Sequence, residues 1–124
     1  MSDELVTVSI STYNRFEGLI KTLKSVVEQT YKNLEIIIVD DCSSDLTTLD
    51  NIKKKFPDEK RIKYFRHQKN SGLSEARNTA LYNSKGKFFT FIDDDDLWNI
   101  NCIRIFVHNA TKHDDLNCFC GGIK

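Results

Sequence analysis

Short strand-like segments alternate with amphipathic helix-like segments along the chain, and this alternation most constrains the fold. Residues 35–39 form a short segment whose last four residues, 36–39, are apolar and β-branched, a pattern typical of a strand that helices cover on both faces. Residues 5–10, 62–65 and 88–92 predict three further strands. The order βαβαβαβα therefore predicts an α/β, Rossmann-like fold with a mostly parallel sheet and helices on both faces.

The segments between the strands carry apolar residues at helical spacing and predict helices over residues 16–27, 46–56, 73–81 and 103–110. Asn14 and Ser74 are the expected N-caps of the first and third helices, and Gly86 is expected to end the third. Residues 117–120 predict the start of a fifth strand, whose exposed edge could pair with a second copy in a homodimer.

The composition limits the classes of function. A chain of 124 residues is one domain's worth of sequence, and 18 Lys+Arg against 18 Asp+Glu give a net charge of zero. This balance argues against nucleic-acid binding, which needs a basic face. The longest apolar run, residues 36–39, is far too short to span a bilayer, and residues 1–4 do not resemble a signal peptide. We therefore expect a cytoplasmic protein without a membrane segment, which could still lie at a membrane surface.

Polar residues follow three of the predicted strands, at positions 11–14, 40–45 and 93–96. Since the carboxyl ends of parallel strands lie at one edge of a sheet, these segments should meet in one crevice, where α/β folds bind ligands. The glycines form neither a GxGxxG nor a GxxxxGK[ST] motif, which excludes a phosphate loop of either type. Phosphate charge would have to be met by a metal ion and by side chains.

Four consecutive aspartates, Asp93, Asp94, Asp95 and Asp96, form the most unusual of these polar segments. Like charges about 4 Å apart repel by about 1 kcal/mol even in water, so a bound divalent cation would explain the cluster simply. An all-oxygen site selects Mg²⁺ or Mn²⁺ and leaves positions open for diphosphate oxygens. On an extended backbone, Asp93 and Asp95 would point away from Asp94 and Asp96. A solvated acidic turn before a helix is an equally simple interpretation.

Two other polar positions suit a nucleotide. Asp41, together with Asp40, could accept hydrogen bonds from a base or a ribose hydroxyl, or could cap the following helix. Arg77 could contact phosphate, or could pair with one of the aspartates.

Five blocks of sequence together resemble glycosyltransferase family 2, whose members have the GT-A fold. They are VSISTYNR at 8–15, SVVEQTY at 25–31, EIIIVDDCSS at 35–44, NSGLSEARN at 70–78 and FIDDDDLW at 91–98. The blocks occur in the family's order and cover nearly the whole chain. The resemblance implies a glycosyltransferase that binds a nucleotide-diphosphate sugar with the help of a divalent metal ion.

The resemblance also implies roles for single residues. The residues implied for contact with the nucleotide sugar are Ser11, Tyr13, Asp41, Arg77, Asp94 and Asp95. The residues implied for the metal ion, Mg²⁺ or Mn²⁺, are Asp95 and Asp96.

Transfer in this family inverts the configuration of the sugar and needs an acidic base that takes the proton of an acceptor hydroxyl. Family members continue for about another hundred residues, a domain-sized piece that supplies acceptor contacts and this base. We therefore expect residues 1–124 to be a single domain, the donor-binding half, with the acceptor half and the base beyond Lys124. The acceptor itself, a glycan or a lipid-linked molecule, is not identified.

The alternative is a receiver-like regulatory module that binds Mg²⁺ and has no transferase activity. Such a module also gathers acidic residues at strand ends. It needs a phosphoacceptor aspartate after the third strand, where this chain has Arg66 and His67.

Overall fold

A computed structural model describes residues 3–112, in which the predicted strands and helices follow one another in the predicted order. The strands are β1 (Val6–Thr12), β2 (Leu34–Asp40), β3 (Ile62–Arg66) and β4 (Phe88–Asp93). The helices are α1 (Phe16–Val27), α2 (Thr48–Lys55), α3 (Leu73–Tyr82) and α4 (Cys102–Lys112). The predicted start of a fifth strand at residues 117–120 lies outside the described residues, so the homodimer contact through it stays a prediction.

All four strands are parallel and lie in the order β3-β2-β1-β4. From β1 the chain adds β2 and then β3 on one side, and afterwards crosses over to add β4 on the other side of β1. The direction of winding therefore reverses between β1 and β4, and α/β folds bind ligands at the carboxyl ends of the strands at such a point. The predicted α/β fold with a parallel sheet is confirmed.

Helices cover both faces of the sheet, as predicted. On one face α1, α2 and α4 form the larger core with β1 and β2, through buried side chains that include Leu23, Ile52 and Ile103. On the other face α3 packs on β2 through Ala76 and Ala80, which are small and completely buried. Since a buried Leu or Ile contributes about 1.5–3 kcal/mol, most of the hydrophobic stabilisation comes from the first face.

The helices are short. The longest in the described part of the chain, α1, has 12 residues. Between residues 3 and 112, no helix combines the length and the apolar character that a bilayer crossing requires.

Two expected N-caps are wrong, because other contacts engage the residues concerned. The residue before α1 is Arg15, and its side chain makes no capping hydrogen bond. Asn14 lies one residue earlier, and its side chain bonds to another loop. Gly72, with a φ of 95°, occupies the N-cap position of α3, so that Ser74 lies inside the first turn. A backbone position with a positive φ favours glycine, and Gly72 occupies such a position directly before the helix.

Gly86 was expected to end α3 but has a different place in the fold. The C-cap of α3 is Asn83, three residues earlier. Gly86 lies against β1, where an added Cβ would be 2.5 Å from Thr7 Oγ1 and 2.6 Å from the Thr7 backbone nitrogen. A side chain at this position would push the segment before β4 away from β1, so glycine is required by close approach rather than by the helix end.

A buried carboxylate joins the strands at the amino end of the sheet, opposite the carboxyl ends. Glu35 accepts hydrogen bonds from Thr7 Oγ1 at 2.7 Å, from the Lys85 backbone N–H at 2.7 Å and from Lys63 Nζ at 2.5 Å. Burial alone would raise the pKa of Glu35, but the hydrogen bonds from Lys63, Lys85 and Thr7 outweigh it and lower the pKa. The ionised side chain therefore stabilises the fold.

We expect Glu35→Gln to lower the free energy of unfolding at pH 7 by about 1–3 kcal/mol, because it leaves the buried donors poorly matched. Since the pKa of Glu35 is lower in the folded chain, its contribution is present above the unfolded value and is lost as the pH falls through the folded value. Urea unfolding at pH 7 and at pH 3 should show the difference from wild type shrinking at the lower pH. The control is Glu4→Gln, whose half-exposed carboxylate lies 3.4 Å from Lys87. Equal losses in both variants would contradict the prediction.

Candidate functional site at the carboxyl edge of the sheet

The four aspartates form a tight turn at the end of β4. The backbone N–H of Asp96 donates to the carbonyl of Asp93 at 3.1 Å, so the chain turns instead of staying extended. The turn brings Asp93, Asp95 and Asp96 together, with one carboxylate oxygen of each within 4.8 Å of one from each of the others. We call these three residues the acidic triad. The expected separation of Asp93 and Asp95 from Asp94 and Asp96 is therefore wrong.

Asp94 is part of the turn, but its side chain is buried and does not belong to the acidic triad. Its carboxylate is buried and accepts a hydrogen bond from Thr12 Oγ1 at 2.9 Å, which links β4 to β1. Burial raises the pKa of Asp94, and repulsion from Asp95 adds to the rise, whereas the bond from Thr12 and the charge of Arg15 oppose it. Asp94 was expected to contact the nucleotide sugar, and in this structure its carboxylate supports the turn from below.

Helix α1 holds the turn from the side. A Cβ added to Gly18 would lie 2.5 Å from the carbonyl oxygen of Asp94, so the turn backbone rests directly on the helix. Thr22 Oγ1 donates to the carbonyl oxygen of Asp96 at 2.7 Å and lies 3.4 Å from that of Asp93. Only a residue without a side chain at position 18 allows this approach.

Two arginines flank the acidic triad. Arg15 Nη1 lies 3.4 Å from Asp95 Oδ2, and Arg77 Nη2 lies 3.3 Å from Asp93 Oδ1. The guanidinium carbon of Arg77 also lies 3.7 Å from the centre of the Phe91 ring, an arrangement that restrains its orientation. The Arg15 pair is largely open to solvent and the Arg77 pair partly so. Such pairs contribute about 0–1 kcal/mol, so little holds the arginines away from a more strongly charged partner. The pairing of Arg77 with an aspartate is one of its two expected roles.

Ser11 and Tyr13 lie at the carboxyl end of β1, next to the turn. Ser11 is in register with Asp93 on one side and with Val39 on the other. Tyr13 is 44% exposed. Ser11 is partly exposed, so both residues reach the surface near the acidic triad.

Asn14 ties the loop after β1 to the loop after β2. Its backbone has a φ of 54°, its N–H donates to Ser43 Oγ at 2.8 Å, and its Oδ1 accepts from the Ser44 N–H at 2.8 Å. Asparagine tolerates this left-handed conformation better than most residues. These two hydrogen bonds fix the path of the backbone directly after Tyr13.

Asp41 organises a third loop. Its carboxylate accepts from the backbone N–H groups of Ser71 and Gly72 and from His67 Nδ1, each at 2.8 Å. Burial would raise the pKa of Asp41, but the hydrogen bonds from Ser71, His67 and Gly72 lower it. A carboxylate has about four acceptor positions, so these three bonds leave room for one more donor. Asp41 does not cap α2, whose N-cap is Thr47.

The structure brings together residues that the sequence singled out and residues that it did not. Asp95 and Asp96, the two residues implied for the metal ion, lie together with Asp93 because the backbone turns. Gly18 and Thr22 were missed, although a glycine inside an amphipathic helical segment is a recognised sign of close packing. His67 had no local pattern that could have revealed its bond to Asp41. Within residues 3–112, the acidic triad is the only set of three His, Cys, Asp or Glu side chains close enough to share an ion.

Sequence comparison relates the chain to known proteins. The profile of glycosyl transferase family 2 matches residues 7–123. An uncharacterized glycosyltransferase of Rickettsia conorii is 45% identical over 127 residues, which cover 94% of this chain and 20% of that protein. The chain therefore spans about a fifth of the length of this relative.

Two solved structures share the fold. The structure of S. aureus TarS 1–349 in complex with UDP-GlcNAc matches with a TM-score of 0.79 and 29% identity over 88% of this chain and 32% of the TarS 1–349 chain. The mannosyltransferase PcManGT from Pyrobaculum calidifontis, in complex with GDP-Man and Mn²⁺, matches with a TM-score of 0.72 and 29% identity over 86% of this chain and 31% of PcManGT. These matches confirm the predicted GT-A fold.

We expect Gly18→Ala to displace the turn, because the new methyl group would overlap the carbonyl of Asp94. Replacing glycine by alanine inside a helix usually raises the free energy of unfolding by about 0.5–1 kcal/mol. Here the overlap with the Asp94 carbonyl should cancel that gain. It should also weaken binding of Mn²⁺ in calorimetric titration. Lys21→Ala, on the exposed face of the same helix, is the control and should bind Mn²⁺ as the wild type does. A more stable Gly18→Ala chain with unchanged Mn²⁺ affinity would contradict the close contact.

We expect Asp94→Asn to leave the free energy of unfolding at pH 7 unchanged or to raise it by about 1 kcal/mol. The amide oxygen can still accept from Thr12, and no charge is buried. Because the folded pKa of Asp94 is raised, the wild type gains stability as the pH falls through that value, and the variant should lack this gain. Urea unfolding at pH 7 and pH 4 measures both effects, with the exposed Asp58→Asn as the control. A clear loss of stability at pH 7 would show that the charge of Asp94 is needed.

Proposed function

The chain belongs to glycosyl transferase family 2, and from this premise we propose that its sheet edge binds the nucleoside diphosphate of a sugar donor. The observation that carries the proposal is the acidic triad, three carboxylates within 4.8 Å of one another at the point where the sheet reverses its winding. Arg15 and Arg77 flank the triad and supply positive charge beside it. This combination suits a diphosphate that approaches together with a cation.

We propose that the triad holds Mg²⁺ or Mn²⁺ through Asp95 and Asp96, with Asp93 beside them. The donor set consists of carboxylate oxygens alone, which hard divalent cations prefer. The solved structure of PcManGT, a structural relative, is a complex with GDP-Man and Mn²⁺. The bound ion would stabilise the negative charge that develops on the leaving diphosphate.

The two arginines would bind the diphosphate directly. Their present bonds to Asp93 and Asp95 are long, at 3.3 and 3.4 Å, and partly open to solvent. Once a cation neutralises these carboxylates, the guanidinium groups lose little by turning to phosphate oxygens. A planar guanidinium can then donate two parallel hydrogen bonds to one phosphate.

The nucleoside would lie beside the end of β1. The exposed ring of Tyr13 can stack on a base, and Ser11 is in register with Asp93 of the triad. Asp41 would accept one hydrogen bond from the base or the ribose through its remaining acceptor position. Asp94 would contribute to donor binding indirectly, because its bond to Thr12 holds the turn that carries the triad.

For the whole protein we propose inverting transfer of the sugar. The oxygen of an acceptor hydroxyl forms a bond to the anomeric carbon as the bond to the diphosphate breaks, and an acidic base takes the hydroxyl proton. We assign this base, and the contacts to a glycan or lipid-linked acceptor, to residues beyond Lys124. The receiver-like alternative is not proposed, since His67 stands where its phosphoacceptor would be and bonds to Asp41.

The test is calorimetric titration of the chain with UDP and with GDP, with and without Mn²⁺. We expect one of the two to bind about tenfold more tightly or better when Mn²⁺ is present, by roughly 1.4 kcal/mol or more. Asp95→Asn and Asp96→Asn should abolish this dependence and leave the melting temperature unchanged or raised, because each relieves repulsion between like charges. Asp58→Asn is the control for removal of an exposed carboxylate outside the triad.

Two results would contradict the proposal. One is the absence of binding of either diphosphate in the presence of Mn²⁺. The other is a fall in the melting temperature of Asp95→Asn and Asp96→Asn that Asp58→Asn does not share, since the triad would then serve the fold.

A further inference from the structure

A continuous hydrogen-bonded chain runs from the loop after β2 to the middle of α3. His67 Nδ1 lies 2.8 Å from Asp41 Oδ1, and His67 Nε2 lies 2.7 Å from Thr79 Oγ1. The imidazole and the carboxylate are largely buried, with 16% and 8% of their side-chain surfaces exposed. The nucleotide contacts proposed above do not use His67 or Thr79.

The direction of the hydrogen bonds follows from the chemistry of the groups. An ionised carboxylate can only accept, so the Nδ1 of His67 carries the proton that is donated to Asp41. In the neutral imidazole, Nε2 is then the acceptor, and the Thr79 hydroxyl donates to it. Each of the three side chains is therefore held in one orientation by the next.

Helix α3 buries only small side chains against the sheet, so hydrogen bonds help to fix its position. Ala76 and Ala80 are its buried residues, and single methyl groups provide few contacts that would oppose sliding along the sheet. Asp41 holds the start of the helix through the N–H groups of Ser71 and Gly72. Through His67 it also holds the second turn, at Thr79.

Arg77 lies on the same helix, two residues before Thr79. Its guanidinium is 3.3 Å from Asp93 and is stacked on Phe91 at 3.7 Å. A shift of α3 by about 1 Å would carry Arg77 beyond hydrogen-bond distance of the triad. The position of the helix therefore decides whether Arg77 reaches the edge where the diphosphate is proposed to bind.

We propose that His67 and Thr79 are positioning residues, which together with Asp41 hold α3 so that Arg77 faces the acidic triad. The inference rests on the proposed function in one respect, the contact of Arg77 with the donor diphosphate. Asp41 then has a second role besides its proposed contact with the nucleotide. Through His67 and Thr79 it fixes the position of the helix that carries Arg77.

An Asp–His–hydroxyl chain also occurs in hydrolases, where the hydroxyl is a nucleophile. Such a nucleophile needs free N–H groups nearby to stabilise an oxyanion. Thr79 is the seventh residue of the ten in α3, where backbone N–H groups are engaged inside the helix. The chain therefore serves position and not hydrolysis.

The first test is a double-mutant cycle between Thr79→Val and Arg77→Ala. Valine keeps the shape of threonine and removes only the hydroxyl. With Mn²⁺ present, we expect Thr79→Val to weaken binding of UDP or GDP, whichever the wild type binds, by about three- to tenfold in calorimetric titration. The double variant should bind no more weakly than Arg77→Ala alone. An equal loss from Thr79→Val in both backgrounds would overturn the inference.

Two further variants sharpen the cycle. Thr79→Ser restores the hydroxyl and should restore wild-type affinity, whereas His67→Gln breaks the same chain at its centre and should resemble Thr79→Val. Thr111→Val, on the exposed side of α4, is the matched control and should have no effect. If Thr79→Val does not fold, His67→Gln takes its place in the cycle.

The second test does not depend on donor binding. The Nε–H resonance of Arg77 should be shifted by the ring of Phe91 in wild type, and should move toward the position of a free arginine in Thr79→Val but not in Thr111→Val. An unchanged Arg77 resonance in Thr79→Val would overturn the inference. If the wild type binds neither UDP nor GDP, the proposed function fails, while this resonance still decides whether the chain positions Arg77.

Discussion

The candidate site depends first on the negative charge that one turn concentrates at the end of β4. Carboxylate oxygens of Asp93, Asp95 and Asp96 lie within 4.8 Å of one another, a separation at which like charges repel appreciably. The backbone of the turn resists this repulsion because it rests on α1 at Gly18 and is bonded to Thr22. The fold therefore holds ready an arrangement that a cation would stabilise.

The turn also separates four chemically identical side chains into two environments. Asp94 is buried and bonded to Thr12, so it connects the two strands between which the sheet reverses. The other three face the edge, where Arg15 and Arg77 balance part of their charge. One acidic residue thus supports the site, while its neighbours in sequence form it.

Much of the fold could be predicted because hydrophobic periodicity is a local property. The alternating strands and helices, the parallel sheet and the edge where polar loops meet all followed from it. Helix ends were less predictable, since polar side chains such as Asn14 can bond either to their own helix or to another loop. The grouping of the aspartates also escaped prediction, because identical residues do not reveal whether their backbone is extended or turned.

The sequence by itself determined the order of strands and helices, the edge that carries the polar loops, and the family blocks that single out Asp95, Asp96 and Arg77. Only the tertiary structure decided the partners of the loop residues, such as His67 for Asp41 and the carbonyl of Asp94 for Gly18. The physical reason is distance along the chain. Periodic burial depends on neighbours a few residues away, whereas these contacts join residues from separate loops and helices and exist only once the backbone path is complete.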